Sequence, residues 1–165
     1  MTPLQRLLRT LLLAGAGLVG TSGALAQDAD LQGRWVIAKA TLAPWADPRQ
    51  RGGGEEETRL VGRTVSFGPR SVAGPQPLAC AHAIYSAHDD TPDLLFEGGL
   101  AEPDQSGKPR DAAALARKLG MTTRTVLTVE TGCSEVAYHR LSRDSFVFGL
   151  NNRIYTLRPA PKPRP

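Results

Sequence analysis

A β-hairpin near the carboxyl terminus constrains the fold of this chain more than any other feature of its sequence. Residues 146–150 and 153–157 are rich in aromatic and branched apolar side chains, and Asn151-Asn152 separates the two runs. A two-residue asparagine turn between such runs is typical of an antiparallel hairpin. Because side chains alternate between the two faces of a strand, this register places four large apolar side chains on one face: Phe146, Phe148, Tyr155 and Leu157.

The opposite face of the same hairpin carries a small residue at its centre. In the predicted register Gly149 lies opposite Ile154, and the missing side chain leaves room against the sheet at that point. A shift by one residue would scatter the apolar set of the first face, so the hydrophobic pattern itself determines the register.

Short strands separated by turn residues account for most of the remaining pattern. The 17 glycines and 13 prolines favour a turn-rich chain over a helical bundle. One helix is predicted near 111–119, with Asp111 as its N-cap and Gly120 at its end, whereas residues 49–57 are predicted to form a flexible charged loop. The sequence therefore predicts a mainly β protein, a small antiparallel β-barrel of about eight short strands with one short α-helix. The strands are predicted at 31–42, 60–67, 83–87, 94–98, 123–130, 136–141, 146–150 and 153–157, with a brief extended piece between 68 and 75.

The amino terminus has the three parts of a secretory leader. Arg6 and Arg9 precede an apolar stretch over 11–19, and Ala24-Leu25-Ala26 matches the cleavage pattern of a signal peptidase. We expect cleavage after Ala26 and a periplasmic or secreted protein, with an uncleaved anchor helix as the alternative. The apolar stretch is well short of the roughly 20 residues that span a bilayer, so no stable membrane span is expected after leader cleavage.

Three regions follow from these patterns: the signal peptide over 1–26, a single barrel-like domain over 27–158, and a proline-rich, disordered tail over 159–165. Removal of the leader's two arginines lowers the formal net charge from +4 to +2. No basic stripe with interleaved aromatic residues is present, so we do not expect a nucleic-acid partner.

The chain contains two cysteines, Cys80 and Cys133, and both follow the leader. In an oxidising compartment such a pair in a small domain predicts a disulfide. Two buried thiols or a metal site are the alternatives, and no C-x-x-C spacing supports the metal site.

The first predicted strand opens with Gly33-Arg34-Trp35. These residues resemble the G-x-W motif that begins lipocalins and related ligand-binding barrels of the calycin type. The resemblance implies a closed β-barrel with an internal cavity, sealed at one end by Trp35.

Candidate catalytic and metal-binding residues are few. His82 and His88 lie near Asp89, Asp90 and Asp93, but their spacing matches no zinc pattern, and a solvated acidic turn is the simpler interpretation. His139 follows Tyr138 in a predicted strand and is interpreted as a surface or satisfied residue. No G-x-S-x-G motif is present, so we expect no enzyme, no catalytic residues, no metal site and no cofactor.

The residues expected to contact a ligand are Trp45, Tyr85 and Tyr138. Trp45 lies in a proline-flanked loop, a poor place to bury an indole ring, and we place it at the mouth of the barrel. The sequence thus predicts an exported, non-enzymatic β-barrel that binds a small, partly apolar ligand or an envelope component. The alternative is a protein-interaction module, such as an inhibitor of a cell-wall-degrading enzyme or an envelope stress protein.

Overall fold

A computed structural model of the protein describes residues 31–49 and 54–161. The predicted leader lies outside these ranges, as does the end of the predicted tail. Within these two ranges, two short helices and eight strands follow one another. They are β1 (Gly33–Leu42), α1 (Glu55–Leu60), β2 (Thr64–Phe67), β3 (Val72–Ala73), β4 (Ser86–Asp90), α2 (Ala112–Lys118), β5 (Val126–Glu130), β6 (Ala137–Ser142), β7 (Ser145–Leu150) and β8 (Arg153–Pro159).

All eight strands belong to one antiparallel sheet, which confirms the predicted mainly β fold. Their order is β3-β2-β1-β8-β7-β6-β5-β4. The sheet curls into a half-barrel with β3 and β4 at its edges, and within the described residues these two strands do not pair with each other. The closed barrel that the lipocalin resemblance implied is therefore replaced by an open one.

The β7–β8 hairpin has the predicted register. Phe148 pairs with Tyr155 and Gly149 pairs with Ile154. Asn151 begins the turn with a φ of 52°, a left-handed conformation that asparagine tolerates better than most residues. Strand β8 continues to Pro159, and the Ala160 N–H donates a hydrogen bond of 2.8 Å to the Arg34 carbonyl, so the chain is bound to the sheet beyond residue 158.

Apolar cores pack on both faces of the sheet. The inner face of the half-barrel holds a large apolar core that includes the four hairpin residues. The outer face of β5–β8 packs against residues 91–121, which we call the cover segment, and against the loop after β1. The main side chains of this outer core are Ala43, Ala46, Leu95, Phe96, Leu100, Ala116, Met121, Val126, Val147 and Ile154.

The strand predicted over 94–98 is wrong. Residues 92–100 form consecutive turns of the cover segment, and both Phe96 and Glu97 have a positive φ, of 53° and 56°. Backbone in this conformation cannot continue a β ladder. The apolar side chains that suggested a strand, Leu95 and Phe96, are instead buried in the outer core.

The charged loop predicted over 49–57 is also corrected at its end, because α1 begins at Glu55. Tertiary contacts hold this six-residue helix: Leu60 is fully buried in the inner core, and Glu56 accepts hydrogen bonds from Tyr155 Oη at 3.1 Å and Asn151 Nδ2 at 2.8 Å. Helices this short do not form alone in water, so these long-range contacts explain why the local sequence did not predict it.

Helix α2 begins where the sequence predicted. The Asp111 side chain accepts a hydrogen bond of 2.9 Å from the Ala114 N–H, as an N-cap residue does. The residue that the helix buries completely is Ala116, whereas Leu115 and Leu119 are partly buried at the margin of the outer core.

The predicted disulfide between Cys80 and Cys133 is formed, with 5.4 Å between the Cα atoms. Cys80 also forms an antiparallel bridge with Val72 of β3, and the Ile84 N–H donates to the Thr131 carbonyl beyond β5. The segment from 80 to 84 thus runs from one edge of the open sheet toward the other, and the disulfide joins the two sides covalently. A formed disulfide indicates an oxidising compartment.

Within residues 31–49 and 54–161, no helix has both the length and the apolar character needed to cross a membrane.

Candidate functional site

A cleft of about 300 Å³ opens on the outer side of the sheet. Four separate parts of the chain form its walls: the loop after β1, the cover segment, the start of β6 with the loop before it, and the end of β7. Its lining residues are Trp45, Phe96, Glu97, Gly99, Glu102, Glu135, Val136, Ala137, His139, Gly149, Leu150 and Asn151. The volume lies at the lower end of the range for small-molecule sites in proteins.

Aromatic rings form the floor of the cleft. The Trp45 and Phe96 ring centroids are 5.5 Å apart with a tilt of 44° between the planes, and Phe96 meets the His139 ring edge-on at 4.5 Å. Trp45 is half-buried, whereas Phe96 is almost completely buried. A small ligand would therefore meet the indole ring first.

Two glycines make room for these rings. A Cβ atom on Gly149 would lie 3.1 Å from Phe96 Cδ1, and one on Gly99 would lie 3.0 Å from Trp45 Cε3. Both distances are below ordinary van der Waals contact, so larger residues would displace the rings. The room predicted beside Gly149 is occupied by the Phe96 ring.

His139 lies beneath Phe96 and is hydrogen-bonded through both ring nitrogens. Its Nε2 accepts a bond of 3.1 Å from the Phe96 N–H, and its Nδ1 lies 3.0 Å from Thr128 Oγ1. Because Nε2 acts as the acceptor, the neutral ring carries its proton on Nδ1 and donates it to Thr128. Burial lowers the pKa of His139 to about 4, against a smaller raising effect of the Asp90 carboxylate.

The lowered pKa of His139 predicts a loss of stability in acid. An unfolded histidine titrates near pH 6.5, so between pH 6.5 and about 4 the unfolded chain binds more protons than the folded one. The contribution of His139 is complete above pH 6.5 and is lost as the pH falls to about 4, a difference of about 3 kcal/mol in the free energy of unfolding.

Denaturant unfolding of the wild type and of His139→Gln at several pH values measures this contribution. The glutamine side chain cannot take up the proton, so we expect the wild type to lose more stability than the variant as the pH falls from 7 to 4. Equal losses of stability in the two proteins would show that His139 does not have a lowered pKa in the folded state.

The rim of the cleft is acidic. Glu97, Glu102 and Glu135 line it with exposed side chains, and none of the described lining residues is lysine or arginine. Carboxylates beside an aromatic surface favour a positively charged group, which gains both Coulomb attraction and contact with the ring face.

The three residues predicted to contact a ligand are not brought together. Trp45 lines the cleft. Tyr138 is fully buried in the inner core, on the other face of the sheet, and its hydroxyl has no hydrogen-bond partner among the described residues. Tyr85 donates a hydrogen bond of 2.7 Å from its hydroxyl to the Gly68 carbonyl and packs against the same inner core.

Phe96 and the role of His139 were not predicted from the sequence. In the strand predicted over 94–98, Phe96 would lie in the sheet, whereas the turns of the cover segment place its ring in the cleft. His139 is satisfied, as expected, but its acceptor nitrogen holds the turn above it. Two sequence signals pointed to this place: the small residue at Gly149 and Trp45 in its proline-flanked loop.

His82, His88 and the neighbouring aspartates do not form a metal site. His88 and Asp90 form a pair, with 3.3 Å between Nε2 and Oδ2. In the part of the chain that the structure describes, no three His, Cys, Asp or Glu side chains are arranged to hold one metal ion.

Trp35, which carried the resemblance to lipocalins, lies in the inner core with 5% of its surface exposed and donates from Nε1 to the Leu31 carbonyl at 2.8 Å. It therefore packs inside the half-barrel, near the start of β1. No protein-family model, curated protein or solved structure matches the chain.

Proposed function

We propose that this protein is an exported, non-enzymatic half-barrel that binds a small, partly apolar ligand in the cleft beside Trp45. The observation that carries the proposal is the half-buried Trp45 ring, packed against Phe96 in the floor of a cleft of about 300 Å³. Sites for small molecules combine apolar and aromatic walls with a few polar groups, as this cleft does.

The ligand binds outside the half-barrel in this proposal. The inner face is filled by large side chains with no measurable exposure, among them Tyr138, Phe146, Phe148 and Tyr155. A filled interior is ordinary for about eight strands. We thus propose that the protein resembles lipocalins in its fold, but that its ligand binds outside the half-barrel and not in an internal cavity.

The ligand carries a positive charge. Glu97, Glu102 and Glu135 surround the aromatic floor, and the only other titratable group in the described lining is His139, which is neutral at pH 7. A neutral apolar ligand gains nothing from these exposed carboxylates, whereas an aromatic or alkyl amine is attracted to them and to the ring face.

Export agrees with the same proposal. The leader predicted over 1–26, with cleavage after Ala26, would deliver the chain to the periplasm or to the exterior, where the disulfide can form.

Trp45 fluorescence tests the proposal with three probes of similar size, benzylamine, benzyl alcohol and benzoate. We expect a saturable change in Trp45 emission with benzylamine, at least ten-fold weaker binding of benzyl alcohol, and no response to benzoate. Trp45→Phe should lose the signal, because the remaining Trp35 is buried in the inner core.

Charge variants complete this test. Glu97→Gln should weaken benzylamine binding several-fold, whereas Glu130→Gln, which changes an exposed carboxylate on β5 that does not line the cleft, should leave the binding unchanged. No saturable response to benzylamine, or an equal response to all three probes, would overturn the proposal.

An interaction module is the second candidate, because two large apolar side chains of the described residues are exposed to solvent. Ile84 is 79% exposed beside the disulfide, and Leu94 is 58% exposed on the cover segment. An inhibitor of a cell-wall-degrading enzyme or an envelope stress protein would use such residues as contacts. Recovery of one stoichiometric envelope protein by the wild type, and its loss with Ile84→Ser, would favour this candidate.

A further inference from the structure

The turn that forms one wall of the cleft depends on an unprotonated histidine nitrogen. The Phe96 N–H donates to His139 Nε2, and this bond is buried. Phe96 and Glu97 both have a positive φ, a conformation that costs energy for residues other than glycine and persists only where surrounding contacts hold it. The bond to His139 is one of those contacts.

We propose that His139 is a proton-operated latch: it holds the Phe96-Glu97 turn closed while neutral and releases the turn, and with it the ligand, when it takes up a proton from solvent. The release of a ligand rests on the proposed function, but the movement of the turn does not require a bound ligand.

Protonation acts on one of the two hydrogen bonds of the ring. The imidazolium ion has an N–H at both nitrogens and no acceptor. Its Nδ1–H still donates to Thr128 Oγ1, so that bond survives. Its Nε2–H then points at the Phe96 N–H across 3.1 Å, so two donors face each other and the bond is lost.

The loss of this bond acts directly on the cleft. Phe96 and Glu97 both line it, and the Phe96 ring supports Trp45 at 5.5 Å between centroids. Without its acceptor the Phe96 N–H is an unpaired buried donor, and the left-handed turn can relieve both costs by moving toward solvent. Trp45 then loses its packing partner.

The charges near His139 come from three places. On β4, Asp90 favours the protonated ring and His88 opposes it. Glu97 and Glu102 of the cover segment and Glu135 of the β5–β6 loop lie around the same cleft. Burial outweighs these charges and keeps the ring neutral at pH 7, with a pKa of about 4. The latch therefore opens only in distinctly acidic surroundings.

The decisive experiment follows Trp45 emission of the ligand-free protein from pH 8 to pH 3.5. We expect a reversible red shift in the wild type with a midpoint near pH 4. His139→Gln should show no such transition, because the carbonyl oxygen of the introduced glutamine can accept from the Phe96 N–H and does not titrate. His88→Gln, which removes an exposed histidine outside the cleft, should retain it.

The same transition in His139→Gln would overturn the proposal, because it would assign the movement to the carboxylates. Nitrogen-15 spectra of the wild-type histidines provide an independent measurement if the variant does not fold. They should show His139 protonated on Nδ1 alone at pH 7 and on both nitrogens below pH 4. The Phe96 amide hydrogen should be less protected from exchange at the lower pH, relative to an unstructured amide at the same pH. An Nε2-protonated ring at pH 7 would also overturn it.

Benzylamine separates this proposal from the proposed function. Release of bound benzylamine along with the Trp45 transition, in the wild type but not in His139→Gln, supports both. If Trp45 shows the transition but benzylamine does not bind at pH 7, the latch is supported and the ligand class is rejected. If benzylamine binds but Trp45 shows no transition, the ligand class is supported and the latch is rejected.

Discussion

Replacing both Cys80 and Cys133 by alanine is expected to lower the free energy of unfolding by about 4 kcal/mol. The two residues are 53 positions apart, and the chain-entropy model assigns a cross-link over such a loop a stabilisation of this size, because it restricts the unfolded chain. For a domain with a total stability of about 5–15 kcal/mol, the loss is a large share.

The position of this disulfide in the sheet adds a local expectation. Cys80 is bridged to β3, at one edge of the half-barrel, and Cys133 follows β5, next to the other edge strand. Without the link, amide hydrogens at Val72 and Ile84, which bind the joining segment on its two sides, should exchange faster than those of the central strands.

Reversible urea unfolding with and without a thiol reductant measures the effect. The wild type in reductant should match the double alanine variant, and the reductant should not change the variant. A loss below about 1 kcal/mol, well under what the chain-entropy model assigns, would show that the curled sheet does not need the covalent link between its edges.

Replacing Phe148 by alanine is expected to cost about 3–5 kcal/mol. Phe148 lies at the centre of the inner core with no exposed surface, stacked on Tyr155 at 5.0 Å between centroids and tilted against Tyr138 at 5.5 Å. The variant loses the transfer free energy of the ring and leaves a cavity that the two neighbouring strands, β6 and β8, cannot close.

Phe148→Leu is the matched control, since it retains most of the apolar volume and should cost about 1 kcal/mol. Urea unfolding of the two variants separates a packed interior from a loose one. Equal costs for leucine and alanine at this position would contradict the tight inner core on which the external position of the ligand depends.

The sequence predicted the elements whose signals are local. The β7–β8 register follows from alternation of apolar residues on both sides of Asn151-Asn152, and it is confirmed pair by pair. The N-cap Asp111 marks the start of α2, again within a few residues. The partners of the disulfide could be predicted without structural information, because the chain has two cysteines in all.

The predictions from sequence were wrong where the local preference of a segment disagrees with its burial in the tertiary structure. Residues 94–98 have the composition of a strand, but Phe96 gains more by filling the space beside Gly149 than by joining a ladder. Helix α1 has three glutamates in its first turn and one buried residue, Leu60, and contacts with β8 and its turn hold it in place.

The amino-acid sequence by itself determined the strand-rich composition, the pairing of the last two strands and the partners of the disulfide, because each depends on neighbours along the chain or on a count. Only the tertiary structure decided that the sheet stays open, that β1 lies between β2 and β8, and that Trp45, Phe96, His139 and Gly149 meet in one cleft. Those outcomes depend on side chains up to about a hundred positions apart that must share one buried space, and no local pattern records which of them will meet.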